Sequence, residues 1–321
     1  MGRIPSVSST SRKKKSRSGR PGGNPRAVVV KPAGPREWIA GARLRTLPLA
    51  VAPVLIGTGA TQVVDEGWHW VRALLCLAVS LALQIGVNYA NDYSDGVRGT
   101  DASRVGPSRL TGSGAAKPKQ VLTVALVFCG IAAVAGLALT ALSGHWWFLI
   151  IGAAAIAAAW FYTGGRRPYG YLGFGELFVF IFFGLVATVG TTFVQIGRTN
   201  QESWLGAVAA GLFACAVLTV NNIRDIPTDR LSGKRTLAVL AGPAVSRAIY
   251  TGFVLIPFGI AVILALFYPL AWLTLFVLLM ILPSILITLT AKTAKELILA
   301  LQLTSLGGFA YAVILAAALA F

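Results

Sequence analysis

The chain has 321 residues, of which 56% are hydrophobic and only 12% charged. A soluble domain carries about a quarter charged residues, so this composition excludes an ordinary water-soluble protein. The formal charge of +17, from 28 Lys and Arg against 11 Asp and Glu, raises nucleic-acid binding as a class, but the placement of the charges argues for no nucleic acid.

Residues 1–36 hold ten of the basic residues and no acid. This Ser-, Gly- and Pro-rich stretch cannot bury enough apolar surface to offset its ordering entropy, so a disordered basic tail is expected there. Its longest apolar run is Ala27 to Val30, too short for a secretory signal. Anionic lipid is the simplest partner for such a tail. Residues 37–321 read as one membrane domain.

A membrane helix needs about 20 mainly apolar residues. Nine such stretches follow in order: 46–63, 70–91, 120–142, 146–163, 172–196, 204–223, 244–267, 270–289 and 297–320. The lead-in to the first carries Trp38, Arg43 and Arg45 and reads as interfacial. Cys76, Cys129 and Cys215 all lie inside apolar stretches, with no CxxC or Cys/His spacing, and read as packing residues. The fold class is therefore an all-α polytopic membrane protein. Nine spans put the two termini on opposite sides. Twenty-six of the 28 basic residues then share one side, and only Arg72 and Arg198 take the other. The positive-inside rule predicts a cytoplasmic N-terminus and an extracytoplasmic C-terminus in a cell membrane. His69 and His145 sit among tryptophans at the far interface and read as anchors rather than catalysts.

The scarce acids are more informative. Five of the 11 fall in two short segments, both at predicted cytoplasmic ends of spans. The first is N-Y-A-N-D-Y-S-D-G-V-R-G-T-D, Asn88 to Asp101. The second is N-N-I-R-D-I-P-T-D-R-L-S-G-K-R-T, Asn221 to Thr236. Residues three and four apart share a helix face, so Asn88, Asp92 and Asp95 line one face and Asn221 and Asp225 another. Asp229 joins the second if the helix continues through Pro227. Oxygen-only ligands suit hard cations, and Mg²⁺ binds through one or two carboxylates plus substrate phosphates. Interleaved Arg and Lys suit the rest of a diphosphate. An intramembrane diphosphate implies a lipid tail, here a polyprenyl diphosphate. A cation-coupled transporter is the rival reading of membrane carboxylates, but relay acids sit near mid-membrane and these do not.

These segments resemble the two aspartate-rich motifs of the UbiA superfamily of intramembrane aromatic prenyltransferases. Four strings carry the resemblance: L-R-T-L-P-L-A at Arg45, N-D-Y-S-D-G-V-R-G-T-D-A-S-R-V-G-P-S-R at Asn91–Arg109, Y-T-G-G-R-R-P-Y-G-Y-L-G-F-G-E at Tyr162–Glu176, and the second aspartate segment. The R-x-G-P-x-R and Y-T-x-G-x-R-P-Y-G-Y patterns are similar to the branch that prenylates 1,4-dihydroxy-2-naphthoate on the way to menaquinone. Arg166 stands where many relatives carry Lys, which keeps the charge. The resemblance covers about residues 38–321. It implies nine helices around a central cavity capped by the cytoplasmic loops. It further implies one Mg²⁺ on Asp92 and Asp95 and a second on Asp225 and Asp229. Asn88, Asn91 and Asn221 are expected to bind or orient, and Asp101 to act as an outer ligand or hold a loop arginine. Arg104, Arg109 and Lys234 are the phosphate candidates, and Arg45 and Arg166 reach phosphate or the naphthoate carboxylate. Tyr89, Tyr93, Tyr162 and Tyr169 are candidates for screening a prenyl cation or holding acceptor hydroxyls. Another acceptor, such as 4-hydroxybenzoate, is the alternative within the superfamily.

Overall fold

The computed structural model describes residues 1–2, 31–64, 67–101 and 109–321. Most of the expected basic tail, and Arg104, lie outside the described residues. Residues 32–321 form one compact all-helical unit. It begins with α1 (Pro35–Gly41), a 3₁₀ turn at Leu44–Thr46 and α2 (Pro48–Gln62). Then follow α3 (Trp70–Arg98), α4 (Pro118–Ser143) and α5 (Phe148–Phe161). The next span joins α6 (Gly175–Val179) and α7 (Ala187–Ile196) through a π-helical segment, Phe180–Val186. The remainder is α8 (Gln201–Leu231), α9 (Leu237–Ala265), a 3₁₀ segment at Pro269–Val277 leading into α10 (Leu278–Thr290), and α11 (Ala294–Ala320).

Among the described residues, seven helices are long and apolar enough to cross a bilayer. The pair Pro35–Thr46 and Pro48–Gln62, bent by 45°, meets the same length and hydropathy only when joined, as a broken span or a re-entrant loop. The remaining expected span, 146–163, falls on α5, which has only 14 residues. At 1.5 Å per residue it rises about 21 Å, short of a full hydrocarbon core. Its start is set by the turn at His145–Trp147 and its end by Gly164 and Gly165. Helix α8 runs unbroken through Pro227, so Asn221, Asp225 and Asp229 do fall four residues apart on one helix.

Chain breaks fall where local chemistry dictates. Gly99, Gly144 and Gly197 take left-handed conformations, with φ of 75°, 76° and 72°, and end α3, α4 and α7. Asn200 opens α8 by accepting from the Ser203 amide at 3.0 Å. Six of the eight tryptophans (Trp68, Trp70, Trp146, Trp147, Trp204 and Trp272) lie at or just before the starts of α3, α5, α8 and α10, the end opposite the aspartate motifs. That is the girdle expected of amphipathic rings at a membrane interface. Arg72 at the same end donates to the carbonyls of Gln195 at 2.8 Å and Leu142 at 2.9 Å, satisfying the open C-terminal turns of α7 and α4.

Helices in lipid gain little from apolar burial against one another, so close packing of small residues carries the association. Helix α2 shows this on two faces. A Cβ on Gly57 would lie 2.5 Å from the Thr188 carbonyl of α7, and one on Gly59 would lie 2.5 Å from the Ala316 carbonyl of α11. The main buried core joins α2, α8, α9, α10 and α11 around Ile56, Phe213, Tyr250, Ile281 and Tyr311. Within it the Tyr250 hydroxyl meets Ser284 Oγ at 2.8 Å and Thr304 Oγ1 at 2.7 Å.

Candidate active site

The other side of the bundle is hollow. A cavity of about 480 Å³ is lined by α2 to α8 and, on α3, extends from Cys76 to Asn91, roughly 22 Å of helix. Its walls are mainly Leu, Val, Ala, Ile and Phe, with Phe148, Leu139 and Val194 at the tryptophan end. Polar side chains gather at the other end: Arg43, Thr46, Asn88, Asn91, Tyr162 and Asn221. The lining draws nothing from residues beyond Asn221, so the cavity lies among α2 to α8 rather than among all the helices.

Above this polar mouth the two aspartate segments meet. Asp95, at the end of α3, is buried. Its Oδ2 accepts from Arg109 Nη1 at 3.0 Å and from Lys234 Nζ at 3.3 Å. Its Oδ1 accepts from the Tyr171 hydroxyl at 2.5 Å. Lys234 Nζ also stands 4.0 Å from Asp229 Oδ1, so one ammonium bridges the first segment to the second. Asp225 is paired in bidentate fashion with its neighbour Arg224, at 2.8 and 2.6 Å.

The first segment also anchors the loop that follows it. Asp92 Oδ2 accepts from the Leu110 amide and Oδ1 from the Thr111 amide, each at 2.9 Å. Each oxygen keeps a second lone pair. Gly96 permits this seat, because a Cβ there would lie 2.5 Å from Thr111 Cβ. Arg109 Nη1 donates to the Asn91 carbonyl at 2.7 Å, and Nε lies 3.5 Å from Asp101 Oδ2. Burial alone would lower the pKa of Arg109, but Asp95, Asp101, Asp92 and Asp225 outweigh it and hold the guanidinium above its ordinary value. Arg109 is thus fully charged and spent on carboxylates and a carbonyl. Burial, then the Asp95 charge and its hydrogen bond, push the Tyr171 phenol up, so it stays a donor.

The remaining expected residues divide cleanly. Asn88 Nδ2 donates to the Ala42 carbonyl at 2.9 Å, and Asn91 Oδ1 accepts from Thr163 Oγ1 at 2.7 Å, so both are oriented at the cavity mouth. Tyr162, Tyr169 and Asn221 line the cavity. Tyr89 instead donates to the Trp38 carbonyl at 2.5 Å, and Tyr93 stacks on Trp160. Neither lines the cavity. Arg45 and Arg166 are exposed and do not line it either. Arg43, which takes a left-handed backbone (φ 54°), lines the cavity instead. Arg43 reads in sequence as interfacial, and Tyr171 carries no assigned role there although it closes the Y-T-x-G-x-R-P-Y-G-Y pattern. Glu176, the last residue of the Tyr162–Glu176 string, is buried and accepts from Asn222 Nδ2 at 2.9 Å.

With these features in place, the chain is assigned to its class: it belongs to the UbiA prenyltransferase family, whose model matches residues 50–306. It is similar to the 1,4-dihydroxy-2-naphthoate octaprenyltransferase of Mycobacterium tuberculosis, 47% identical over 285 residues that cover 89% of this chain and 97% of the relative. It is also similar to the enzyme of the same name from Mycobacterium leprae, 54% identical over 67% of this chain and 72% of the relative, and to that of Escherichia coli, 38% identical over 72% and 76%. The fold matches the apo structure of a UbiA homolog from Aeropyrum pernix K1, with a TM-score of 0.64 at 17% identity over 84% of this chain and 96% of that one. A UbiA homolog from Archaeoglobus fulgidus bound to DMAPP and Mg²⁺ matches with a TM-score of 0.53 at 14% identity over 86% and 98%.

Proposed function

We propose that this membrane protein transfers a polyprenyl group from polyprenyl diphosphate to 1,4-dihydroxy-2-naphthoate, releasing diphosphate and CO₂ and giving demethylmenaquinol. The observation that carries this is the bridging of the two aspartate segments by Lys234 above an apolar, lipid-sized cavity. The extensive identity to three enzymes named for this acceptor supports naphthoate over 4-hydroxybenzoate.

The residues present fit Mg²⁺. The donors are all oxygen, and an ammonium already stands between Asp95 and Asp229, where net negative charge calls for a cation. Among the described residues no group of three or more His, Cys, Asp and Glu gathers into a protein-only metal cage. Mg²⁺ does not need one, since it keeps waters and substrate phosphates in its shell. Asp92 and Asp95 would hold one ion and Asp225 and Asp229 a second, with Asn88, Asn91 and Asn221 orienting ligands at the mouth. Bound there, Mg²⁺ supplies charge neutralisation for the departing diphosphate.

Lys234 shifts from carboxylate to phosphate oxygen as the allylic carbon–oxygen bond breaks. Arg109 holds Asp95 and Asp101 together, and Arg104 supplies further positive charge. Tyr162 and Tyr169 present π faces beside the allylic carbon. The naphthalene ring attacks that carbon, and loss of CO₂ restores aromaticity, so no enzyme nucleophile is required. Arg43 is the cation placed to meet the acceptor carboxylate, with Arg45 and Arg166 steering anions from outside. The segments face the cytoplasm of the cell membrane, N-terminus inside, as the basic residues favour.

The test is one assay: purified protein, Mg²⁺, a polyprenyl diphosphate, and dihydroxynaphthoate or 4-hydroxybenzoate, with products read by mass spectrometry. Prenylated, decarboxylated product from the naphthoate is expected. Product from 4-hydroxybenzoate alone overturns the acceptor, and solute flux in proteoliposomes with no transfer overturns the enzyme.

A further inference from the structure

Tyr171 touches both aspartate segments in three different ways. Its hydroxyl donates to Asp95 Oδ1 at 2.5 Å and lies 3.4 Å from Thr100 Oγ1. Its ring carries the Lys234 ammonium 4.7 Å from the centroid and the Arg98 guanidinium at 5.3 Å. Its carbonyl accepts from the Arg235 amide at 2.9 Å. Arg98 also donates to the Gly165 carbonyl, tying the loop that carries Tyr171 to the end of α3. Asp95 therefore has Oδ2 given to two cations and Oδ1 fixed by one phenol. A carboxylate that can rotate is a poorer ligand than one held in place, and partners of this kind are worth about 10–100-fold in metal affinity.

We propose that Tyr171 is a positioning residue. Its hydroxyl fixes Asp95 for metal, and its ring seats Lys234 against the diphosphate. This rests on the reading that Asp95 holds the ion, and it separates two jobs on one side chain. The hydroxyl governs metal affinity. The ring governs affinity for the phosphate end of the substrate, because a cation over an aromatic face is held in register even after its carboxylate partner is taken by metal.

The experiment compares wild type, Y171F, Y171L, R98A and D95N in lipid nanodiscs. Mn²⁺ binding in the presence of inorganic pyrophosphate is followed by electron paramagnetic resonance, together with melting temperature and steady-state kinetics. Y171F is expected to keep the wild-type melting temperature and the KM for prenyl diphosphate at saturating metal, and to bind Mn²⁺ about 10–100-fold more weakly. Y171L should show the same metal defect and in addition raise that KM by about two- to fivefold. Wild-type Mn²⁺ affinity in Y171F, with D95N having lost it, overturns the role of Tyr171 and leaves the metal reading standing. Wild-type affinity in D95N overturns the metal reading itself. Should Y171F melt early, R98A loosens the same loop by removing the Gly165 contact. An equal fall in Mn²⁺ affinity in both variants overturns the proposal, and a fall confined to Y171F upholds it.

Discussion

Arg109 was expected from sequence to contact phosphate, and in the structure it clamps carboxylates, so its replacement separates two physical roles. Arg109→Met removes the 3.0 Å pair with Asp95, the 3.5 Å approach to Asp101 and the 2.7 Å bond to the Asn91 carbonyl. At an effective dielectric near 20, a pair at such a distance attracts by about 5 kcal/mol before desolvation is counted. Removing one partner of a buried pair costs about 3–5 kcal/mol, because the other charge is left uncompensated. Lys234 still faces Asp95 at 3.3 Å, which places the loss near the lower end, about 3 kcal/mol. For a large domain this is a fall in melting temperature of about 6–10 °C. The assay is thermal unfolding in nanodiscs without substrate, followed by turnover at a permissive temperature. Arg109→Lys keeps the charge but not the fork, and should recover only part of the loss. A phosphate-contacting arginine would behave differently: stability unchanged, KM for prenyl diphosphate raised. R109M with the wild-type melting temperature refutes the clamp.

Three further outcomes are expected. Rigorous chelation should abolish transfer and added Mg²⁺ restore it, and D225N should be inactive while folded; turnover surviving either treatment refutes the metal assignment. G96A drives a methyl into Thr111, costs about 1–3 kcal/mol and loosens the Asp92-held segment, so faster protease cleavage in 109–117 is expected, and an unchanged digestion pattern counts against the seat described. Tyr268 donates to Glu202 Oε1 at 2.8 Å, and burial first, then that carboxylate, push its phenol up to about 12. Its folded value lies above the ordinary one of about 10, so the stability it contributes is complete below pH ~10 and is lost as pH climbs through ~12; an ultraviolet titration in which Y268F lacks no late phenolate step refutes this.

Hydropathy made the spans legible because a bilayer demands long apolar runs whatever the tertiary contacts are. Periodicity likewise put Asp92 with Asp95, and Asp225 with Asp229, on shared helix faces, since three- and four-residue spacing is a property of the helix itself. What was not legible depends on contacts between segments. Tyr171 gains its role only because its turn folds back onto Asp95, 76 residues earlier. Arg43, not Arg45, lines the cavity, and nothing about Arg in sequence signals its left-handed conformation. The π-helical stretch at Phe180–Val186 left no mark either, and the small Gly184 there, where a Cβ would approach Gly211 of α8 at 2.7 Å, shows its purpose only once the two helices are packed.

Helix α5 contains no buried residue, yet it contributes Leu149, Gly152, Ile156 and Ala159 to the cavity wall while Ile150 and Phe161 face outward. On this side the vessel is one helix thick, and the acyl chains beyond it act as its outer lining. Lateral pressure from the bilayer then becomes part of what keeps the hollow open and shaped. Stripping lipid away removes that support from α5 while the packed core of α8 to α11 goes on holding itself. Delipidation should therefore silence the enzyme well before it unfolds, and the amphiphile chosen for purification becomes a determinant of measured turnover in its own right.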